Sequence, residues 1–231
     1  MEIKQKKFRL SSKTLRAYVD ARLDLIELCN EVPLNILDVG CATGATGAAL
    51  KQIYLNAKVS GIEYNIELGR EASKHYDHVE IGNLDNMELN KLFTEKFDTV
   101  FLGDVLEHTI NPSANLKKIK NICTPGAIFI LSLPNVQHIT VIFNLLLGKW
   151  PQRDRGIFDR THLRWFTKKS ILEMLSKNGM EIIKLNRKYR FIDAPSKNIN
   201  RFAKYAHFGF FKNFLTYQYI AVVKVTEIKD Q

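Results

Sequence analysis

The chain has 231 residues, 45% hydrophobic and 25% charged, which is enough for one packed α/β domain and too apolar for a disordered chain. No apolar run reaches the ~20 residues of a membrane-spanning helix, and the opening Met-Glu-Ile-Lys-Gln-Lys-Lys lacks the apolar core of a signal peptide. The net charge of +10 is one-sided: residues 1–135 hold 16 Lys+Arg against 17 Asp+Glu, whereas residues 136–231 hold 18 against 7. Such an excess suits an anionic partner, whether phosphate, nucleic acid or acidic lipid. Cys29, Cys41 and Cys123 have neither metal nor disulfide spacing, which predicts a reducing, cytoplasmic setting.

From Ser11 to Glu31 the residues Leu15, Val19, Leu23, Ile26 and Leu28 recur at helical intervals. Residues 1–31 therefore read as an N-terminal helical extension, ended by Pro33. Ile36, Leu37 and Val39 are a buried-strand run. Glycines follow at 40, 44 and 47, and then Ala48, Ala49, Leu50 and Ile53 at helical spacing. A strand that turns through glycines into a helix aims backbone N–H groups at a ligand. Asp38 stands at the strand's carboxyl end, where open α/β sheets bind ligands. The second strand, Lys58–Glu63, ends in an acid about 20 residues past the loop, the distance at which a carboxylate meets ribose hydroxyls. Tyr64 is placed to lie against a base. A helix over 66–75 leads to a short strand, His78–Gly82, and then to Asn83, Leu84 and Asp85. Strand four, Phe97–Asp104, runs into Val-Leu-Glu-His108 and Pro112. Asp104, Glu107 and His108 would share one face of a helix. A helix over 113–122, a turn at Thr124-Pro-Gly126 and a strand Ala127–Leu133 follow.

Leu37-Asp-Val-Gly-Cys-Ala-Thr-Gly44 and Asp104-Val-Leu-Glu-His108 resemble motifs I and IV of the class I S-adenosylmethionine (SAM)-dependent methyltransferases, with Ala42 where that family has Gly. The resemblance implies an α/β, Rossmann-like fold: a seven-stranded, mostly parallel sheet with an antiparallel last strand and helices on both faces, in one domain over 1–231. It implies that SAM, and its product S-adenosylhomocysteine, are held by Asp38, Gly40, Cys41, Ala42, Gly44, Glu63, Tyr64, Asn83, Leu84, Asp104 and Val105. Glu63 would hold the ribose, and Asn83 or Asp85 the adenine amine. Some related quinone-biosynthesis O-methyltransferases place an acid–acid–His metal set at the position of Asp104, Glu107 and His108. For this chain the expectation is no metal, with Glu107 and His108 fixing the floor of the site.

Residues 136–166 read as a lid over the substrate. Ile139, Val141, Ile142, Phe143, Leu145, Leu146 and Leu147 form a short apolar helix that Gly148-Lys-Trp-Pro151 breaks. Asp159-Arg-Thr-His-Leu-Arg-Trp-Phe-Thr167 resembles a signature of bacterial methyltransferases linked to cell-surface glycan synthesis. His162 is a candidate general base because imidazole titrates near neutrality, and it serves equally as a brace. His108 and His138 are rival bases, His138 also as a substrate contact. Asp159 would orient the imidazole or bind a sugar hydroxyl. Arg160 and Arg164 would hold phosphate or carboxylate. Thr167 caps a helix that ends at Asn178-Gly179, and Met180–Leu185 and Tyr217–Val225 complete the sheet. The basic, aromatic insertion 192–214 suits the inner face of a membrane. The expected reaction is O-methylation of a sugar or glycan precursor, phosphorylated or lipid-linked. The alternatives are a quinone-type acceptor, metal-assisted in one version, and a nucleic-acid-binding module with a relict cofactor fold.

Overall fold

The computed structural model describes residues 20–191 and 212–226. Seven strands form one sheet in the order β3-β2-β1-β4-β5-β7-β6. They are β1 (Asn35–Val39), β2 (Lys58–Glu63), β3 (His78–Ile81), β4 (Phe97–Gly103), β5 (Cys123–Pro134), β6 (Met180–Tyr189) and β7 (Thr216–Val225). The first five pair in parallel, and β7 runs antiparallel between β5 and β6. This is the Rossmann-like methyltransferase sheet that the motifs imply. The helices in chain order are α1 (Leu23–Ile26), α2 (Ala45–Ile53), α3 (Ile66–Ala72), α4 (Leu89–Leu92), α5 (Pro112–Lys120), α6 (Ile139–Leu146), α7 (Lys168–Lys177) and α8 (Lys212–Leu215).

The sheet is buried on both faces, as parallel sheets must be, and strand alternation divides the core into two layers. Val100 and Leu102 of β4 pack with Phe129, Leu131 and Leu133 of β5 on one face. Phe101 packs with Ile128 and Ile130 on the other. Local signals end the helices as the sequence indicates. Asn65 caps α3 by accepting from Glu67 and Leu68, and Thr167 forms a capping box with Ser170 at α7.

Several expectations change. Within the described residues the N-terminal helix is only Leu23–Ile26, and the chain around it lies over the sheet's carboxyl edge; Leu15 and Val19 lie outside the described residues. Thr124-Pro-Gly126 belongs to β5, which starts at Cys123 and absorbs a register shift against β4. Asp104, Glu107 and His108 do not share a helical face. Asp104 has φ +59, and only Leu106–His108 form a single 3₁₀ turn. The insertion 192–214 lies outside the described residues except for its last three, in α8. Among the described residues, no helix is long and apolar enough to cross a membrane.

Candidate functional site

Strand order decides where a ligand can sit. β1 continues to β2 on one side, while β4 lies on its other side, so the loops after β1 and β4 diverge and leave a cleft. Both loops contain a non-glycine residue at positive φ: Ala42 at +49 and Asp104 at +59. Each costs about 1 kcal/mol against a relaxed backbone, and the two flank the same cleft. Gly40 lies between them at φ +76, and a Cβ there would come 2.6 Å from Val105 Cγ2. The glycine is therefore required both by its dihedral angle and by contact with the β4 loop.

Glu63 latches the glycine loop. Its Oε2 accepts from Ala42 N at 2.8 Å and its Oε1 from Asn65 N at 2.8 Å. Burial raises the pKa of this carboxyl above the ordinary value, and the backbone donors of Asn65, Ala42 and Tyr64 oppose the shift. Each oxygen keeps a second lone pair for a hydroxyl donor. Tyr64 beside it is 73% exposed, an open ring face at the end of β2. At the end of β3, Asp85 accepts from Ile110 N, and from Asn115 Nδ2 at 2.8 Å. It is thereby committed to pinning the next loop, whereas Asn83 Oδ1 accepts only from Asp85 N, at 2.9 Å, and keeps a second lone pair. Leu84 is buried beneath.

Asp38 does not project into the cleft as an open carboxylate. Its Oδ2 accepts from the Tyr76 hydroxyl at 2.5 Å. Burial pushes its pKa up to about 7, with Tyr76 and Arg22 only partly opposing. Cys41 is likewise buried, and its backbone N–H is bonded to Ile62 O. An acid raised in the folded state holds its proton more tightly there than when unfolded. Stability must therefore fall as pH rises from the unfolded value near 4 through about 7. The Asp38→Asn variant escapes this loss. By differential scanning calorimetry, its melting midpoint relative to the wild type should climb by about 10 °C between pH 4 and pH 8. A constant difference across that range would contradict the assignment.

Sequence reasoning missed Arg22. Its Nη1 donates to Asp104 Oδ2 at 2.8 Å, Nη2 to Ser132 Oγ at 3.1 Å and Nε to Asp24 Oδ1 at 2.9 Å. Burial by itself would lower its pKa, but Asp104 and Asp24 more than offset this and raise it. Asp104 Oδ1 also accepts from Ser132 Oγ and Gln218 Nε2. A lone cation ahead of an apolar helix carries no sequence pattern, and its three acceptors come from residues 24, 104 and 132.

The segment around His162 meets the turn after β4. The backbone N–H groups of Leu163 and Arg164 donate to Glu107 O at 2.8 and 3.0 Å, which brings His162 beside His108 with ring centroids 4.8 Å apart. Asp159 does not orient His162 as expected. Its Oδ1 accepts the Thr161 hydroxyl at 2.6 Å, and Thr161 Oγ1 lies 3.0 Å from His108 Nδ1. The one Thr161 proton goes to the carboxylate, so His108 Nδ1 must donate to Thr161 Oγ1, and the Nε2 lone pair is left outward. His162 Nδ1 faces Ile157 O at 3.2 Å. A carbonyl only accepts, so His162 also carries its proton on Nδ1 and presents Nε2. Burial and neighbouring His108 lower its pKa, so His162 is neutral at pH 7. Glu107 is 1% exposed, and its Oε2 has no hydrogen-bond partner among the described residues. Burial, and after it Asp104, raises its pKa well above the carboxylate range.

The other expected substrate contacts are placed differently. His138 is fully buried, with Nε2 on Arg190 O at 2.8 Å and Nδ1 accepting from Thr140 N at 3.3 Å. Both ring nitrogens serve the backbone, Nδ1 as the cap of α6 and Nε2 as a donor to the chain just past β6. Arg160 pairs with Asp154 at 2.7 Å. Arg164 donates to Ile110 O and Leu163 O, tying its segment to the loop after β4. α6 buries Val141 against Ile157, Phe158 and Tyr217 and leaves other apolar side chains exposed. Phe143, Leu145, Leu146 and Leu147 are exposed, with Trp150, Leu163 and Trp165 close in sequence to the histidine pair. Trp150 and Trp165 meet edge to face at 6.1 Å.

A family model described as a methyltransferase domain matches residues 11–185. The mitochondrial ubiquinone biosynthesis O-methyltransferase of Candida albicans is 26% identical over 178 residues, which covers 74% of this chain and 52% of that protein. The ubiquinone biosynthesis O-methyltransferase of Alkalilimnicola ehrlichii is 26% identical over 203 residues, covering 80% of this chain and 79% of that one. Against the first three such relatives, the match spans about half of their length: 52%, 51% and 48%. Among solved structures, a SAM-dependent methyltransferase from Thermotoga maritima superposes with a TM-score of 0.62 at 16% identity, covering 93% of this chain and 92% of that one. At that identity the likeness is one of fold.

Proposed function

The chain belongs to the family of SAM-dependent methyltransferase domains, and we propose that it methylates a hydroxyl oxygen on an apolar, ring-bearing acceptor of the quinol or phenol type. The carrying observation is the pairing, at one edge of the sheet, of a latched glycine loop with two histidines that hold their protons on Nδ1 and whose Nε2 lone pairs meet no donor among the described residues. The cofactor fits the residues present: Glu63 keeps lone pairs for a ribose diol, and the exposed Tyr64 ring suits adenine. Asn83 takes the adenine amine, and the Gly40–Val105 contact brings both loops close to the ligand. Arg22, beside Asp104, faces the amino-acid end. Bound SAM supplies an electrophilic methyl group on a sulfonium.

The protein's share is orientation, exclusion of water and removal of one proton. A hydroxyl nucleophile must lose its proton as it attacks. His108 Nε2 is oriented to take it, because Thr161 and Asp159 fix the tautomer from behind. The Asp159 carboxylate, one hydroxyl away, stabilises the imidazolium that forms. His162 stays neutral and holds the lid against this centre. The exposed apolar residues of α6, with Trp150 and Trp165, favour an apolar acceptor over a sugar, and so do the ubiquinone-type relatives. Arg160 and Arg164, the expected phosphate ligands, are engaged by Asp154 and by backbone carbonyls.

The test is transfer of labelled methyl from SAM to a panel of catechols and hydroquinones, set against sugar nucleotides. Turnover of the ring hydroxyls with none of the sugars is the expected result. Turnover confined to the sugars would overturn the acceptor class.

A further inference from the structure

We propose that Tyr76 is a positioning residue of the glycine loop: it braces Asp38 beneath the loop and thereby sets how tightly the loop holds its ligand. Tyr76 stands in the turn between α3 and β3 and is 7% exposed. Its ring fills a slot that two glycines leave open. A Cβ on Gly47 of α2 would lie 2.2 Å from the ring, and one on Gly61 of β2 would lie 3.2 Å from Tyr76 Cδ1 and 2.7 Å from Cys41 Sγ. Carbon atoms in contact sit about 3.5–4.0 Å apart, so neither position accepts a side chain while the ring and Cys41 stay in place. Gly47 is not among the glycines at positive φ. The third glycine of the loop motif is therefore required by contact with Tyr76, not by its own backbone conformation.

At the far end of the ring the hydroxyl donates to Asp38 Oδ2 at 2.5 Å. Among the described residues this is the one hydrogen bond to that carboxylate. Asp38 leads through Val39 into Gly40 and Cys41, whose N–H groups both bond to Ile62 O. The brace thus joins the end of β1, the first turn of α2 and the body of β2 under the loop, while Glu63 holds the same loop through Ala42 N. The inference rests on the reading of this loop as the cofactor site. The charged and titratable groups that act on Asp38 are Tyr76 from the α3–β3 turn, Arg22 from the N-cap of α1, Glu63 from β2 and Cys41 from the loop. Burial pushes Asp38 up to about 7, with Tyr76 and Arg22 opposing. Burial, and after it Asp38, raises the Tyr76 hydroxyl, which stays a donor at every ordinary pH. Without that donor the cost of a buried carboxylate falls on its charged form, so Asp38 would titrate higher still. Near pH 8 the wild type then holds an anion under the loop that a variant lacking the hydroxyl does not. The ammonium of the cofactor's amino-acid end favours that anion.

The test titrates S-adenosylhomocysteine into the wild type, Tyr76→Phe and Asp38→Asn by calorimetry at pH 6 and pH 8. Tyr76→Phe should bind about 10-fold more weakly than the wild type at pH 8 and within about threefold at pH 6, where Asp38 is neutral in both. Asp38→Asn, which cannot ionise, should show the same widening. A ring that only filled space would give one ratio at both pH values. Scanning calorimetry without ligand supplies a second measure. The melting midpoint of Tyr76→Phe should trail the wild type by a constant amount up to about pH 7 and by more above it, because a carboxyl with a higher folded pKa goes on losing stability as pH rises. An affinity of Tyr76→Phe within about threefold of the wild type at pH 8, or the same ratio at both pH values, overturns the proposal. If Tyr76→Phe does not fold, Asp38→Asn decides by the same ratios. A wild type that binds S-adenosylhomocysteine beside an unchanged variant overturns this proposal alone, whereas a folded wild type that binds none overturns it together with the methyltransferase reading.

Discussion

Replacing Glu63 with Ala lowers the affinity for S-adenosylhomocysteine by about 10²- to 10³-fold. A carboxylate at the end of β2 accepts from both hydroxyls of a ribose. Each such charge-assisted bond contributes about 1.5–3 kcal/mol when the partner would otherwise be stranded. Glu63 has a second task that enlarges the effect. Its Oε2 holds Ala42 N and its Oε1 holds Asn65 N, so its loss also frees a loop in which Ala42 sits at φ +49. Glu63→Gln keeps the shape and one acceptor oxygen, so its affinity should lie between the two. Calorimetric titration of folded protein measures this directly. An Ala variant within threefold of wild type would mean that the cofactor does not lie at the β1–β2 edge.

His108→Ala should lower kcat by about 10²- to 10⁴-fold, the usual contribution of a placed general base, with S-adenosylhomocysteine affinity unchanged. The separation follows from geometry, because His108 sits on the turn after β4 and Glu63 at the end of β2. A phenolic acceptor adds a second signature. Raising the pH toward the phenol pKa of about 10 ionises the acceptor without help, so the variant should recover activity there. Thr161→Val should move in the same direction by a smaller factor, since it removes only the group that fixes the Nδ1 tautomer. Equal activity of His108→Ala and wild type at neutral pH would remove the histidine from the reaction.

The sheet and its glycine loop were legible in the sequence because their signals are local. Ile36 to Val39 is an apolar run ended by a glycine, and β2 begins and ends at the residues expected, Lys58 and Glu63. Thr167 and Asn178 bound α7 as their capping chemistry requires. The hydrogen bonds within residues 136–166 were not legible. Asp159 and His162 stand three apart, which suggests a direct pair, yet the Thr161 hydroxyl takes the Asp159 carboxylate and links it to His108 instead. His138 looked like a free imidazole because nothing in the sequence places Arg190 O against its Nε2.

What the sequence alone determined was the set of elements, the glycine loop, the acid at the end of β2 and the basic bias of the second half. Each depends on residues within one strand, turn or helix, where periodicity and backbone preference act. What only the tertiary structure decided was which polar groups remain available. Arg22 engages Asp104 across 82 residues, Gln218 reaches the same carboxylate across 114, and Leu163 and Arg164 bond to Glu107 O. A carboxylate or imidazole has few lone pairs. Whether it is left to meet a ligand depends on every donor that the fold brings within about 3 Å, and those donors come from parts of the chain that no local pattern connects.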